Sequence, residues 1–199
     1  MEISATLVKE LREKTGVGMM QCKQALSAAK GDLSEAEKLL RKQGMAVAAK
    51  KAARATGEGQ VTSYVHTGGK IGVLVEVNCE TDFAARSADF QELLKGLAMH
   101  VAAAAPRFLV REEVTDDVLA EEREIAREQA LKLGKPEKVL DKIVEGKLEK
   151  FYAETVLLEQ PFVKDPERTV GQLVTDAVGR IGENIRIRRF VRFVLGEEA

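Results

Sequence analysis

Apolar positions recur at three- and four-residue spacing over most of the chain. They alternate over two stretches in the middle and one at the end, which predicts an α+β protein. Ser4 is placed to cap a first helix carrying Leu7, Val8 and Leu11 on one stripe. Thr15-Gly16-Val17-Gly18 breaks it, and Met19, Cys22, Leu26 and Ala29 predict the inner stripe of a second helix that stops at Gly31. Asp32-Leu33-Ser34-Glu35 reads as a capping box for a third, with Leu39 and Leu40 turned inward. Three such helices form a compact bundle whose small core leaves it marginal by size alone. The run from Ala46 to Ala55 continues as an Ala-rich basic helix leading into a linker. The expected domains are 1–55 and 56–199.

Beyond this bundle, β-branched residues dominate. Strands are expected over about 59–67 and 70–79, joined at Thr67-Gly68-Gly69-Lys70, where adjacent glycines supply the positive φ of a tight hairpin. Ile71, Val73, Val75 and Val77 share one face of the second strand, and Gly72, Leu74, Glu76 and Asn78 the other. Phe90, Leu93, Leu94, Leu97 and Val101 trace a helix ended by Pro106. Residues 115–159 read as a helical hairpin with Thr115 as cap and Gly134-Lys135-Pro136 as the joint. Val139, Leu140, Ile143, Val144, Leu148, Phe151 and Tyr152 line its second helix. Pro161 to Pro166 reads as an extended linker. Thr169-Val170-Gly171-Gln172 is a second capping box. A last strand, about 184–195, puts arginines on one face and can pair with the hairpin into a three-stranded antiparallel sheet.

Composition narrows the function. The 199 residues carry 31 basic and 32 acidic side chains, a formal net charge of -1. A general nucleic-acid binder shows a basic excess, which is lacking here. No stretch of about 18 apolar residues suggests a membrane span, and Met1-Glu2 leads into an amphipathic pattern unlike a secretory signal. Two cysteines, Cys22 and Cys79, make no disulfide framework. They read as small core residues of a protein kept in a reducing cytoplasm.

Catalytic constellations are missing. The two histidines, His66 and His100, and the two cysteines lack metal-ligand spacing, and the nucleophile-elbow and P-loop motifs do not occur. His100, beside a helical stripe, reads as structural, and His66, beside the hairpin turn, as exposed. Thr81-Asp82-Phe83 admits two readings. Thr81 or Asp82 caps a helix while Phe83 packs into the core, or a loop presents an aromatic side chain beside a carboxylate, a frequent form of interface anchor. The charge of the Ala/Lys helix reads as a solvated face. An RNA contact shared with Arg186, Arg188, Arg189 and Arg192 is the alternative, as is a passive adaptor built on residues 3–55 alone.

Leu11-Arg12-Glu13-Lys14-Thr15-Gly16-Val17-Gly18-Met19-Met20-Gln21-Cys22-Lys23 resembles the N-terminal signature of the elongation factor Ts family. Val77-Asn78-Cys79-Glu80-Thr81-Asp82-Phe83-Ala84-Ala85-Arg86, Gln160-Pro161-Phe162-Val163 and Ile181-Gly182-Glu183-Asn184-Ile185 are similar to further phrases of that family. Together they span nearly the whole chain and fit the short form, which has one copy of the core module. The resemblance implies a ubiquitin-associated-like N-terminal domain and a core of a three-stranded sheet packed by helices. It also implies a homodimer formed through that sheet.

The activity implied is guanine-nucleotide exchange on elongation factor Tu, without covalent chemistry, cofactor, membrane or direct nucleic-acid contact. In the family the loop matched by Thr81, Asp82, Phe83 and Ala84 enters the partner's nucleotide domain and disturbs Mg²⁺ coordination, so GDP leaves. Many members have Val where Ala84 stands, which trims local packing without removing the function. Lys23, His66 and Val163 match other partner contacts.

Overall fold

Local signals account for most of the secondary structure. The computed structural model describes residues 3–197; Met1, Glu2, Glu198 and Ala199, the outer ends of the two expected domains, lie outside the described residues. Helices α1 (Ala5–Thr15), α2 (Met19–Ala28) and α3 (Leu33–Lys51) come first. Strands β1 (Glu58–Val65) and β2 (Ile71–Cys79) follow, then α4 (Asp82–Arg86), α5 (Ala88–Ala104), α6 (Asp116–Lys132) and α7 (Glu137–Thr155). The order closes with β3 (Pro161–Phe162), β4 (Asp165–Thr169), α8 (Val170–Ile181) and β5 (Arg186–Val194). The main sheet is antiparallel with order β1-β2-β5, so the last strand pairs with the central one of the hairpin.

Contacts divide the chain into two compact units. One gathers the described residues up to Val61 with Glu76–Leu94 and Leu173–Arg188; the other holds Thr62–Val75, Lys95–Gln172 and the described residues from Arg189 on.

In the first unit, Ser4 caps α1 by accepting from the Leu7 N–H at 3.3 Å. Gly16, at φ +67°, ends the helix with its N–H on the Arg12 carbonyl. Val8, Leu11, Cys22, Ala25, Leu26, Ala36 and Leu40 form the bundle core. Met19 departs from the expected inner stripe: it is 56 % exposed, and Ala25 takes a core place instead. The Asp32 box is half formed. Asp32 Oδ1 accepts from the Glu35 N–H at 2.8 Å, but the Asp32 N–H goes to the Ala29 carbonyl and Glu35 pairs with Lys38.

The Ala/Lys run extends α3 rather than opening a new helix. Small residues bring α3 against α8. A Cβ on Gly179 would lie 3.3 Å from Gly44 Cα, and Lys51 Nζ donates to the Gly182 carbonyl. Asn184 Nδ2 donates to the carbonyls of Ala52 and Arg54, satisfying the end of α3. β5 begins at Arg186, two residues after the expected start at 184.

In the second unit the hairpin turn closes where the His66 N–H meets the Ile71 carbonyl, with Gly68 and Gly69 at φ +93° and +70°. This trims the expected strands to Val65 and Ile71. Helices α6 and α7 form the expected hairpin. Thr115 holds the cap position without a side-chain hydrogen bond, and Gly134 takes φ +67° at the joint. Val139, at the start of the predicted α7 stripe, is exposed, whereas Leu140, Leu148 and Phe151 are buried. Val114, Phe151 and Val156 pack with Phe108, Val118, Leu119 and Tyr152. Arg111 bonds the carboxylates of Glu149 and Glu159 and lies 4.2 Å from the centre of the Tyr152 ring.

The segment read as a linker is instead a small antiparallel hairpin, β3 with β4, pairing Pro161 with Thr169 and Phe162 with Asp165. Phe162 is buried there; a Cβ on Gly96 would lie 3.1 Å from its ring, a tight contact that the glycine avoids. The Thr169 box is complete: Thr169 N–H donates to Gln172 Oε1 at 3.1 Å and Gln172 N–H to Thr169 Oγ1 at 3.2 Å. Along β5, Arg186 and Arg188 are exposed beside buried Ile187, but the alternation shifts at Arg189, and Val191 and Phe193 then face solvent.

Candidate functional site

Strand β2 ends in the core at Cys79, and the chain turns at Glu80 and Thr81 into the five residues of α4. A helix so short has little stability of its own, so its geometry depends on its ends. Thr81 is the N-cap: its backbone is extended and its Oγ1 accepts from the Ala84 N–H at 3.3 Å. Ser87 closes the other end, its hydroxyl donating to the Ala84 carbonyl at 2.7 Å. Ala84 and Ala85 face inward and are buried.

Phe83 faces outward. At 80 % exposure it is the most exposed large apolar side chain among the described residues. Of the two readings of this segment, the structure keeps the cap at Thr81 and sets aside the burial of Phe83. Asp82, next to it, forms an exposed ion pair with Arg86 at 2.8 Å.

The backbone leading into α4 is held from a distance. Glu183 Oε2 accepts from the N–H groups of Glu80 and Thr81 at 3.1 and 3.0 Å, and its Oε1 accepts from the Thr81 hydroxyl at 2.6 Å. In return the Asn184 N–H donates to Glu80 Oε1 at 2.6 Å. Arg54 pairs with the same Glu80 carboxylate at 3.3 Å. The Asn184 N–H, with Arg54 beside it, holds the Glu80 carboxyl below its ordinary pKa. Burial, helped by the charge of Glu183, pushes the Cys79 thiol up, so it stays a neutral core group.

The other expected contact residues have their own surroundings. Lys23 is exposed on α2, one turn beyond Met19 and Met20, which are 56 % and 68 % exposed. Helical spacing assigns Met19 to the core, whereas the structure turns it to solvent beside Met20. His66 is exposed at the turn, with Nδ1 3.0 Å from the Tyr64 hydroxyl. Val163 presents its side chain to solvent while its N–H donates to His100 Nδ1 at 3.2 Å. That bond makes Nδ1 the acceptor, so His100 Nε2 carries the proton toward Gln160 Oε1 at 2.9 Å. Gln160 in turn donates to the carbonyls of Ala104 and Glu154. Burial lowers the His100 pKa, and the imidazole is a neutral structural strut.

Among the described residues no group of three or more His, Cys, Asp and Glu side chains could hold a metal ion. No helix among them is long and apolar enough to cross a membrane. Glu183 and Asn184, which brace the exposed loop, carry no local sign of that role. Their partners lie more than a hundred residues away in sequence, and only the phrase Ile181–Ile185 drew notice to them.

A family described as Elongation factor TS matches residues 5–197. The chain is 61 % identical over 196 residues to elongation factor Ts of Anaeromyxobacter sp. (strain Fw109-5), covering 98 % of this chain and 90 % of that protein. It is 59 % identical over 196 residues to elongation factor Ts of Solibacter usitatus (strain Ellin6076), covering 98 % and 92 %. Against elongation factor Ts of Desulforamulus reducens it is 57 % identical over 196 residues, covering 98 % and 90 %. On the strength of these matches and the fold they accompany, the chain belongs to the elongation factor Ts family, nucleotide exchange factors for elongation factor Tu that carry out no covalent catalysis.

Proposed function

We propose that the chain drives exchange through Thr81, Asp82, Phe83 and Ala84, which enter the nucleotide domain of elongation factor Tu. Phe83 wedges between partner side chains near the Mg²⁺ site, the ion and the phosphates lose their coordination, and GDP leaves. The observation that carries this reading is an aromatic ring 80 % exposed on a backbone fixed at both ends. Such a ring has no packing role to account for its place, and a rigid aromatic is a strong interface anchor. Because the loop is preformed, little ordering entropy is lost on docking.

The thermodynamics is linkage. A factor that weakens GDP binding is itself weakened by GDP to the same degree. It works by binding the nucleotide-poor partner better than the filled one, and incoming GTP releases it. Lys23 with the exposed Met19 and Met20, His66 and Val163 supply further contacts in this reading. The place of action is the cytoplasm, where the partner works in translation.

A homodimer formed through the sheet belongs to the same proposal. Val65, Leu74, Val191, Phe193 and Leu195 are all exposed apolar side chains of the sheet and its margin. The Leu195 N–H donates to the Lys70 carbonyl. Counting back along antiparallel strands from that bond sets Val191 across from Leu74. A second copy laid on this face would remove the patch from water.

The Mg²⁺ step is tested by measuring acceleration of GDP release with Mg²⁺ present and with the ion chelated. A loop that acts on Mg²⁺ coordination loses most of its accelerating effect once the ion is gone. Equal acceleration in both buffers would place its action elsewhere.

A further inference from the structure

We infer that Glu183 is a positioning residue for exchange, acting through the Thr81–Ala84 loop; the inference rests on the role proposed for that loop. Phe83 has almost no side-chain contact of its own to set its direction, since it is 80 % exposed. Its stance is therefore inherited from the backbone of α4. That helix has five residues, too few to hold itself, and its entry is fastened by Glu183.

The carboxylate of Glu183 uses both oxygens. Three donors meet it: the N–H groups of Glu80 and Thr81, and the Thr81 hydroxyl. The third bond matters most for the cap. A hydroxyl has one proton and two lone pairs. With its proton committed to Glu183 at 2.6 Å, Thr81 Oγ1 is left as an acceptor turned to the Ala84 N–H at 3.3 Å. Glu183 thus orients the atom that caps the helix carrying Phe83. Asn184 locks the arrangement from the other side through Glu80, so the pairs 80–81 and 183–184 hold each other. Without the carboxylate, the two N–H groups turn to water, the Thr81 hydroxyl is free to rotate, and the loop has to be ordered at the moment of binding.

The test is a double-mutant cycle on the full chain. It is read as the rate of fluorescent GDP release from elongation factor Tu. The variants are Glu183→Ala, Glu183→Gln, Phe83→Ala and the combination of Glu183→Ala with Phe83→Ala. Far-UV circular dichroism and thermal melting check the fold of each. Glu183→Ala is expected to slow release about tenfold, in keeping with the loss of hydrogen bonds to a charged group. Glu183→Gln, which keeps one oxygen acceptor, is expected to fall between it and wild type. Should Glu183→Ala fail to fold, Glu183→Gln takes its place in the cycle.

Removing Glu183 in the Phe83→Ala background is expected to change the rate by less than about twofold, because the ring it positions is already gone. A merely structural role would give the same factor in both backgrounds, and that result would overturn the inference. So would a Glu183→Ala rate equal to wild type while Phe83→Ala is slow. A Phe83→Ala rate equal to wild type would instead remove the loop reading on which the inference stands.

Discussion

Glu183 and Thr81, 102 positions apart in sequence, are joined by two hydrogen bonds, from the Thr81 N–H at 3.0 Å and from its hydroxyl at 2.6 Å. The first turn of α4 is thereby tied to the segment between α8 and β5, and the most exposed aromatic ring of the described chain sits two residues further on. Exchange in this account requires no reactive group. It requires a wedge of the right shape, held still, and the distribution of hydrogen bonds around Thr81 is what holds it.

The proposed sheet-face dimer makes a prediction about mass. Wild-type protein is expected to sediment as a dimer at micromolar concentration, and Phe193→Glu to shift it toward monomer. The substitution puts a charge where a ring is now 62 % exposed, so the monomer tolerates it, whereas a dimer would have to bury the charge. A wild-type chain that sediments as a monomer, or a Phe193→Glu chain that remains fully dimeric, contradicts this arrangement.

The complete capping box at the start of α8 makes a prediction about stability. Thr169→Ala removes the acceptor of the Gln172 N–H and is expected to lower unfolding stability by about 1 kcal/mol, read as a lower urea midpoint. An unchanged midpoint would show that water replaces the cap at no cost.

The Thr169 box, like the stripes of α1 and α5, is legible in the sequence because it is decided within one turn of helix. Less legible is anything that depends on what covers a face. Met19 keeps helical spacing with Cys22 and Leu26, yet it is exposed and lies outside the small core cluster that those two residues share. The stretch from Pro161 to Pro166 looks like a linker because β3 has only two residues. What the sequence does not show is that Phe162 is buried, its ring close to Gly96, while Pro161 and Phe162 pair with β4. For Thr81-Asp82-Phe83 the sequence leaves two readings open, since a cap and an exposed ring use the same residues. The inward turn of Ala84 and Ala85 leaves Phe83 in water. The Glu183 bonds had no local signal at all, because nothing near residue 183 reports on residue 81.

His100 makes a prediction about pH. Burial lowers its folded-state pKa below the ordinary imidazole value, so the unfolded chain takes up a proton at higher pH than the folded one. The contribution from keeping the ring neutral is full above the ordinary histidine range and is lost as pH falls through that range toward the folded pKa. The urea midpoint of wild type is expected to fall more between about pH 7.5 and about pH 5.5 than that of His100→Gln, which cannot titrate there. Parallel changes in the two proteins would show that other groups account for the loss.

The most direct test of the account is stopped-flow release of fluorescent GDP from elongation factor Tu in Mg²⁺ buffer, comparing wild type with Phe83→Ala. Truncating an interface anchor costs roughly 2 kcal/mol or more, so the accelerated rate is expected to drop about thirtyfold. The fold should be unaffected, since the ring packs against so little. Strong acceleration by wild type that is lost in Phe83→Ala is the predicted result; equal acceleration by both proteins would contradict the role given to Phe83.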